Sequence, residues 1–148
     1  MKKAVKVGLS LLVVILAMAQ FFRPETTNPP EDPAATIEAV AKPPQAVMAV
    51  INRSCRDCHS NRTEWPWYSR VAPAAHLVAQ DVKKGRAHLN FSEWRGLPAE
   101  ITALKMSEAC IEAKRGGMPL WYYLPAHPDA KLSPADLNTL CSWPGQAN

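Results

Sequence analysis

The chain has 148 residues, with 14 prolines, 6 glycines and 5 tryptophans, which bounds it at one modest domain plus accessories joined by stiff connections. Its formal charge is +4, but Lys2, Lys3 and Lys6 stand ahead of an apolar run with no acid near them, and without these three the remainder carries +1. The basicity is therefore a targeting feature and excludes nucleic acid as the expected partner. No run of alternating β-branched residues and no Asn-Gly pair argues for strands.

Residues 1–22 read MKKAVKVGLSLLVVILAMAQFF. A positive start followed by an apolar run from Val7 to Phe22 has the form of an export signal. Ala17-Met18-Ala19 offers a small-x-small cleavage site, yet Phe21 and Phe22 carry the apolar run past it. A run of about 16 residues reaches ~24 Å as a helix, a little short of a ~30 Å hydrocarbon core, and flanking lysines and Arg23 can snorkel to close the gap. We expect a retained anchor in preference to a cleaved signal. Either way the domain is expected outside the cytoplasm, on the periplasmic side of a bacterial inner membrane, in an oxidising compartment. Residues 23–43 are rich in proline and read as a semi-stiff tether. Part of it, around Thr36 to Ala41, can also form a short helix against the domain, and the two readings do not exclude each other.

From Pro44 to residue 146 the pattern is helical. Pro44 opens a first helix with Val47, Val50 and Ile51 on one face, and Cys55 follows one turn on. Pro73 heads a second helix, striped by Ala75, Val78 and Val82, with Gly85 as its stop. Pro98 opens a third, where Ala103, Met106, Cys110 and Ala113 share a face and Gly116-Gly117 end it. Ser133, Pro134 and Asp136 give the last helix a cap close to a capping box, Leu132 and Leu137 a hydrophobic staple, and Pro144-Gly145 a stop. About four short helices in roughly 105 residues make a thin core, so a large buried cofactor is expected to supply apolar volume.

Cys55-Arg56-Asp57-Cys58-His59 is the stretch that carries chemistry. A structural zinc site needs a second close ligand pair, and Cys110 and Cys141 are far apart. A thioredoxin-type motif needs a strand turning into a helix, and no such unit surrounds this one. Cys-x-x-Cys-His is the attachment signature of c-type haem. Two thiols three apart on a helical turn reach the two vinyl groups along one haem edge, and the adjacent imidazole falls beneath the iron. His59 is then the proximal ligand. For the sixth position, Met48 and Met106 lie on apolar stripes and read as core. Met118, in GGMPL, sits on non-helical chain that can bring a thioether to iron. His76 and His88 are lone helical histidines. His127, in PAHPDA, is the rival to Met118, or else the residue that fixes Met118's loop.

With TNPP, CRDCHSN, WPWYSRVAP, DVKKGRAHLNFSEW, GGMPL and HPDAKLS in place, the chain resembles the cytochrome c-like haem-binding domain family. These are small exported bacterial proteins with one Cys-x-x-Cys-His. The likeness runs from about Thr27 to Trp143, and WPWYS and GRAHLNFSEW make it specific. It implies an all-α, cytochrome c-like fold wrapped around one haem c held covalently by Cys55 and Cys58, with His59 proximal. It is consistent with Met118 as the distal ligand. Cys110 and Cys141 depart from that family. They form either a disulfide, closing a loop of about 30 residues at ~3 kcal/mol of stabilisation, or two buried thiols. Trp65, Trp67 and Tyr68 are expected to pack on the ring or bond a propionate, unless they are ordinary core. Arg86 is a candidate propionate partner, unless it only complements a helix dipole. The carbonyl of Pro66 or Pro73 is expected to accept the proximal imidazole N–H.

The expected role is single-electron transfer, not enzymatic, between membrane enzymes and periplasmic redox partners. The alternative is a haem-based sensor or binder of CO, NO or oxygen with a displaceable sixth ligand, of which a peroxidase using His127 is the reactive variant. A tethered interaction module without haem is the remaining class.

Overall fold

A computed structural model of the chain describes residues 2–143. It is all-α, and no strand occurs among the described residues. The helices are α1 (Lys2–Ala19), α2 (Ile37–Val40), α3 (Gln45–Ser54), α4 (Arg56–His59), α5 (Ala74–His88), α6 (Ala99–Lys114) and α7 (Pro134–Ser142). Single 3₁₀ turns occur at Gln20–Phe22, Pro33–Ala35, Trp67–Arg70 and Pro128–Ala130. The four helices expected after Pro44 are α3, α5, α6 and α7, and the one-turn helices α2 and α4 are additional. The stop expected at Pro144-Gly145 lies outside the described residues.

The apolar stripes meet in one core. Val47, Val50 and Ile51 of α3, Met106 and Ala113 of α6 and Leu140 of α7 are buried together with Ile37, Phe91 and Trp94. Met48 packs partly buried against the same cluster. Cys110 of α6 and Cys141 of α7 are joined by a disulfide, which ties those two helices along their shared face. The start of α7 is a full capping box. Ser133 Oγ accepts from Asp136 N at 3.1 Å, and the Asp136 carboxylate accepts from Ser133 N at 2.9 Å. The same carboxylate pairs with Arg53 of α3 at 2.8 Å, so one side chain both starts α7 and docks it. The backbone N–H and hydroxyl of Ser133, helped by Arg53, hold Asp136 down to about 2.

Two expectations change. Gly85 does not end its helix, since α5 continues through His88. The glycine serves close packing, described below. The proline-rich stretch is not a free tether along its length. Ile37 is fully buried, its N–H donates to the Phe91 carbonyl at 2.8 Å, and the Ala35 carbonyl accepts from Trp94 N at 2.7 Å. The short helix against the domain is what the structure contains at α2, and the packed body starts well before Pro44.

Helix α1 has no buried residue. With the 3₁₀ turn after it, Lys2–Phe22 is long and apolar enough to cross a membrane by length and composition. Its end is bonded to the domain: Gln20 Nε2 donates to the Ala72 carbonyl at 3.1 Å and Gln20 Oε1 accepts from Ala72 N at 3.0 Å.

Truncating Ile37 removes a core side chain, so Ile37→Ala is expected to cost about 2–5 kcal/mol, read as a lower urea midpoint at unchanged slope. A free tether would leave that midpoint where it was. Ser133→Ala removes one half of the α7 cap and is expected to cost ~1 kcal/mol in the same assay.

Candidate functional site

The cysteine motif occupies its own turn of helix. α3 ends at Ser54, Cys55 is the hinge residue, and Arg56–His59 form α4. Backbone bonds from Cys58 N and His59 N return to the Cys55 carbonyl, so the two thiols and the imidazole leave one tight turn. That turn is pressed against α5 at Gly85. A Cβ built on Gly85 would stand 2.4 Å from the Cys58 carbonyl oxygen, so only glycine permits the approach. Beyond it, His59 Nδ1 meets the Leu89 carbonyl at 3.0 Å, and Phe91 N donates to the His59 carbonyl at 2.7 Å. The carbonyl can only accept, so the ring carries its proton on Nδ1 and its lone pair on Nε2. Burial lowers the pKa of His59, which keeps the imidazole neutral. The acceptor is Leu89, not Pro66 or Pro73. The Pro66 carbonyl accepts from Ser69 and that of Pro73 from His76 N.

In front of this turn lies a cavity of about 640 Å³, within the usual range of about 300–1,000 Å³ for cofactor sites. Cys55, Cys58, His59 and Met118 all line it. Its apolar walls include Leu89, Phe91, Ala109, Ala113 and Leu140. Both cysteines are free thiols. They are half-exposed toward the cavity yet closely surrounded by protein, and burial pushes Cys55 up to about 12 and Cys58 up to about 11. Neighbouring Asp57 and Asp81 push Cys58 the same way. Ser54 Oγ, buried and without a partner among the described residues, lines the same cavity.

Met118 follows the end of α6, where Gly116 adopts φ 75° and Met118 N returns to the Glu112 carbonyl at 3.2 Å. The loop after it is fastened by two tyrosines. Tyr122 Oη donates to Asp81 of α5 at 3.1 Å, and Tyr123 Oη donates to Asp57 of α4 at 3.2 Å. Both tyrosines line the cavity, and burial, with these carboxylates, raises the pKa of each. Sequence reading missed them. A local hint was WYYL three residues after Met118, but the pairing with Asp57 and Asp81 depends on where α4 and α5 lie. His127 does not line the cavity. Its ring stacks on Tyr123 at a 4.0 Å centroid distance and its Nε2 meets Tyr68 Oη at 2.7 Å. That is the loop-fixing position. His88 lines the cavity rim; His76 does not.

The other expected contacts fall elsewhere. Trp65, Trp67, Tyr68 and Arg86 do not line the cavity. Trp67 is 78% exposed, and Trp65 Nε1 donates to Asn28 at 3.1 Å. Arg86 works behind the motif, donating to the Ser60 carbonyl, Asn28 Oδ1 and Thr63 Oγ1, each at 2.8 Å. It is neither at the cavity nor a simple dipole partner. The cations that do line the cavity are Arg53, Lys84 and Lys105. Among the described residues Arg53 is in an ion pair, with Asp136, and Lys105 donates to the His88 carbonyl at 2.7 Å.

This donor set fits an iron porphyrin. Two thiols and an imidazole whose tautomer is fixed leave one helical turn, and a thioether lines the same cavity, a combination of nitrogen and soft sulfur donors suited to iron. A family model described as a haem-binding domain matches residues 14–146 of the chain. No curated protein matches, and no solved structure does.

Gly85→Ala is expected to push α4 off α5. Haem bound per mole of purified chain should fall at least several-fold, measured by its absorption. Lys83→Ala, exposed on the same helix, should leave it unchanged.

Proposed function

The chain belongs to the haem-binding domain family, and we propose that it carries one haem c, joined to Cys55 and Cys58, and passes single electrons. The observation that carries this reading is the convergence of Cys55, Cys58, His59 and Met118 on one cavity. When bound, the haem supplies a one-electron iron couple, and a methionine ligand favours the ferrous state. The residues of the chain then have distinct tasks. Cys55 and Cys58 tie the ring to α4. The Leu89 carbonyl orients His59, whose free Nε2 would hold the iron. Tyr122 and Tyr123 hold the loop that offers Met118, and Tyr68 with His127 braces that loop from behind. Lys84 and Lys105 replace Arg86 as the cations for the propionates. The apolar walls, Leu89, Phe91, Ala109, Ala113 and Leu140, would take the apolar faces of the ring and limit the access of water to it.

We further propose that α1 is a retained anchor that keeps the domain on the periplasmic face of the inner membrane. Together with the turn that follows it, α1 makes a span of 21 residues, Lys2–Phe22, which reaches ~31 Å as a helix, enough for a ~30 Å hydrocarbon core. Domains 1–22 and 44–146 then keep their expected roles of anchor and haem domain, while 23–43 is a strap laid on that domain. Its redox partners are membrane or periplasmic proteins.

Absorption spectra of the exported chain, ferric and ferrous, before and after CO, test the assignment. A low-spin haem that survives denaturing electrophoresis and ignores CO is expected. Met118→Ala should raise CO uptake from none to one per haem. A double Cys55→Ala, Cys58→Ala chain should lose haem on denaturation. Ready CO uptake by the unaltered protein would favour the sensor reading instead.

A further inference from the structure

The foot of α1 is built into the domain at one place. Gln20 brackets the Ala72 peptide with two hydrogen bonds, at 3.1 and 3.0 Å, and Arg23 Nη1 donates to the Arg70 carbonyl. Ala72 is itself buried. These bonds close on the short stretch between the Trp67–Arg70 turn and α5. Such bonding is unneeded for a helix that only delivers the chain to a flexible tether.

The side chains around this junction face outward and are apolar. Phe21 is 81% exposed, Phe22 71%, Trp67 78% and Val71 44%. Scattered exposed apolar residues are ordinary. Here they flank one hydrogen-bonded junction: Phe21 and Phe22 adjoin Gln20, Val71 adjoins Ala72, and Trp67 opens the turn before it. Tyr68, next to Trp67, turns to His127 in a partly buried contact, so the two neighbouring aromatics point different ways. Arg23 and Arg70 add two guanidinium groups at the same place, of the sign that suits lipid phosphate. An exposed indole beside a membrane-length helix is suited to the headgroup layer, where its apolar face and N–H are both satisfied.

We propose that Trp67, with Phe21, Phe22 and Val71, docks the domain onto the headgroup layer of the bilayer that α1 enters. The domain then lies against the membrane in a fixed orientation and does not swing on a tether. This rests on the reading of α1 as a retained anchor. It also gives Trp67 a role that its position off the cavity had left open.

The test uses the full haem-loaded chain in its bacterial membrane, with Trp67→p-benzoylphenylalanine. Irradiation followed by mass analysis is expected to give phospholipid adducts at position 67. The same photoreactive residue at exposed Asn138 on α7, a helix that packs on α3 and α6, should give at least several-fold fewer. Gln20→Ala should cut the lipid adducts at 67 several-fold while the chain stays in the membrane pellet with an unchanged haem spectrum. Adducts at 67 to protein alone, or lipid adducts no more frequent than at 138, would overturn the docking with the anchor intact. A mature chain whose intact mass lacks α1 would overturn the anchor reading and the docking together.

Discussion

Everything at the candidate site depends on the contact between the Cys58 carbonyl and Gly85. It sets the distance between α4 and α5 at a value no side chain permits. That distance brings the end of α5 alongside the motif, so that the Leu89 carbonyl reaches His59 Nδ1 and Phe91 N reaches the His59 carbonyl. The imidazole is thereby held from both its ring and its backbone. A Cβ at Gly85 would disturb all three contacts together, because they share one interhelix spacing.

Behind this contact the chain is polar, and in front the cavity has largely apolar walls with charged residues among its lining. Asn28 accepts from both Trp65 and Arg86 and donates to the Thr63 carbonyl. Asn61 donates to the Pro30 carbonyl, and its own N–H goes to Ser92 Oγ. Glu31 meets both Ser92 and Arg62. Residues 28–41 are thus strapped over the back of the motif by hydrogen bonds and pinned by buried Ile37. The cavity side carries the opposite chemistry, with aliphatic walls and two tyrosines at its edge. One turn of helix separates the two environments. Its cysteines face the dry side, and the carbonyls of Asp57 and Ser60 face the wet one, bonded to Thr63 and Arg86.

Much of this was legible because its signals are local. Helix starts at Pro44, Pro73, Pro98 and Ser133 follow from proline geometry and capping. Cys55, Cys58, His59 and Met118 declare themselves by residue type, spacing and the broken backbone of GGMPL. What was not legible depended on where distant parts meet. Trp65, Trp67 and Tyr68 follow the motif within ten residues, yet the chain turns away at Ser60 and takes them off the cavity. Gly85 looked like a helix stop because the same lack of a side chain serves both stopping and close packing. The Leu89 carbonyl carries no sequence signal, since every residue has one. Arg86 was read by charge, while its three acceptors come from segments upstream that looked like linker. Tyr122 and Tyr123 matter only because α4 and α5 set Asp57 and Asp81 within reach.

The placement of the Cys110–Cys141 bond bears on the order of maturation. Both cysteines lie in the C-terminal hairpin of α6 and α7, and neither belongs to α3, α4 or α5. The cross-link therefore closes a covalent ring around the Met118 loop without fastening that ring to the half of the domain that carries Cys55, Cys58 and His59. Oxidation of this pair before the porphyrin arrives does not lock the two halves around an empty space, because they remain joined by non-covalent packing and by the single strand of chain at 89–98. Disulfide formation and cofactor loading are thus topologically independent events, and neither has to wait for the other.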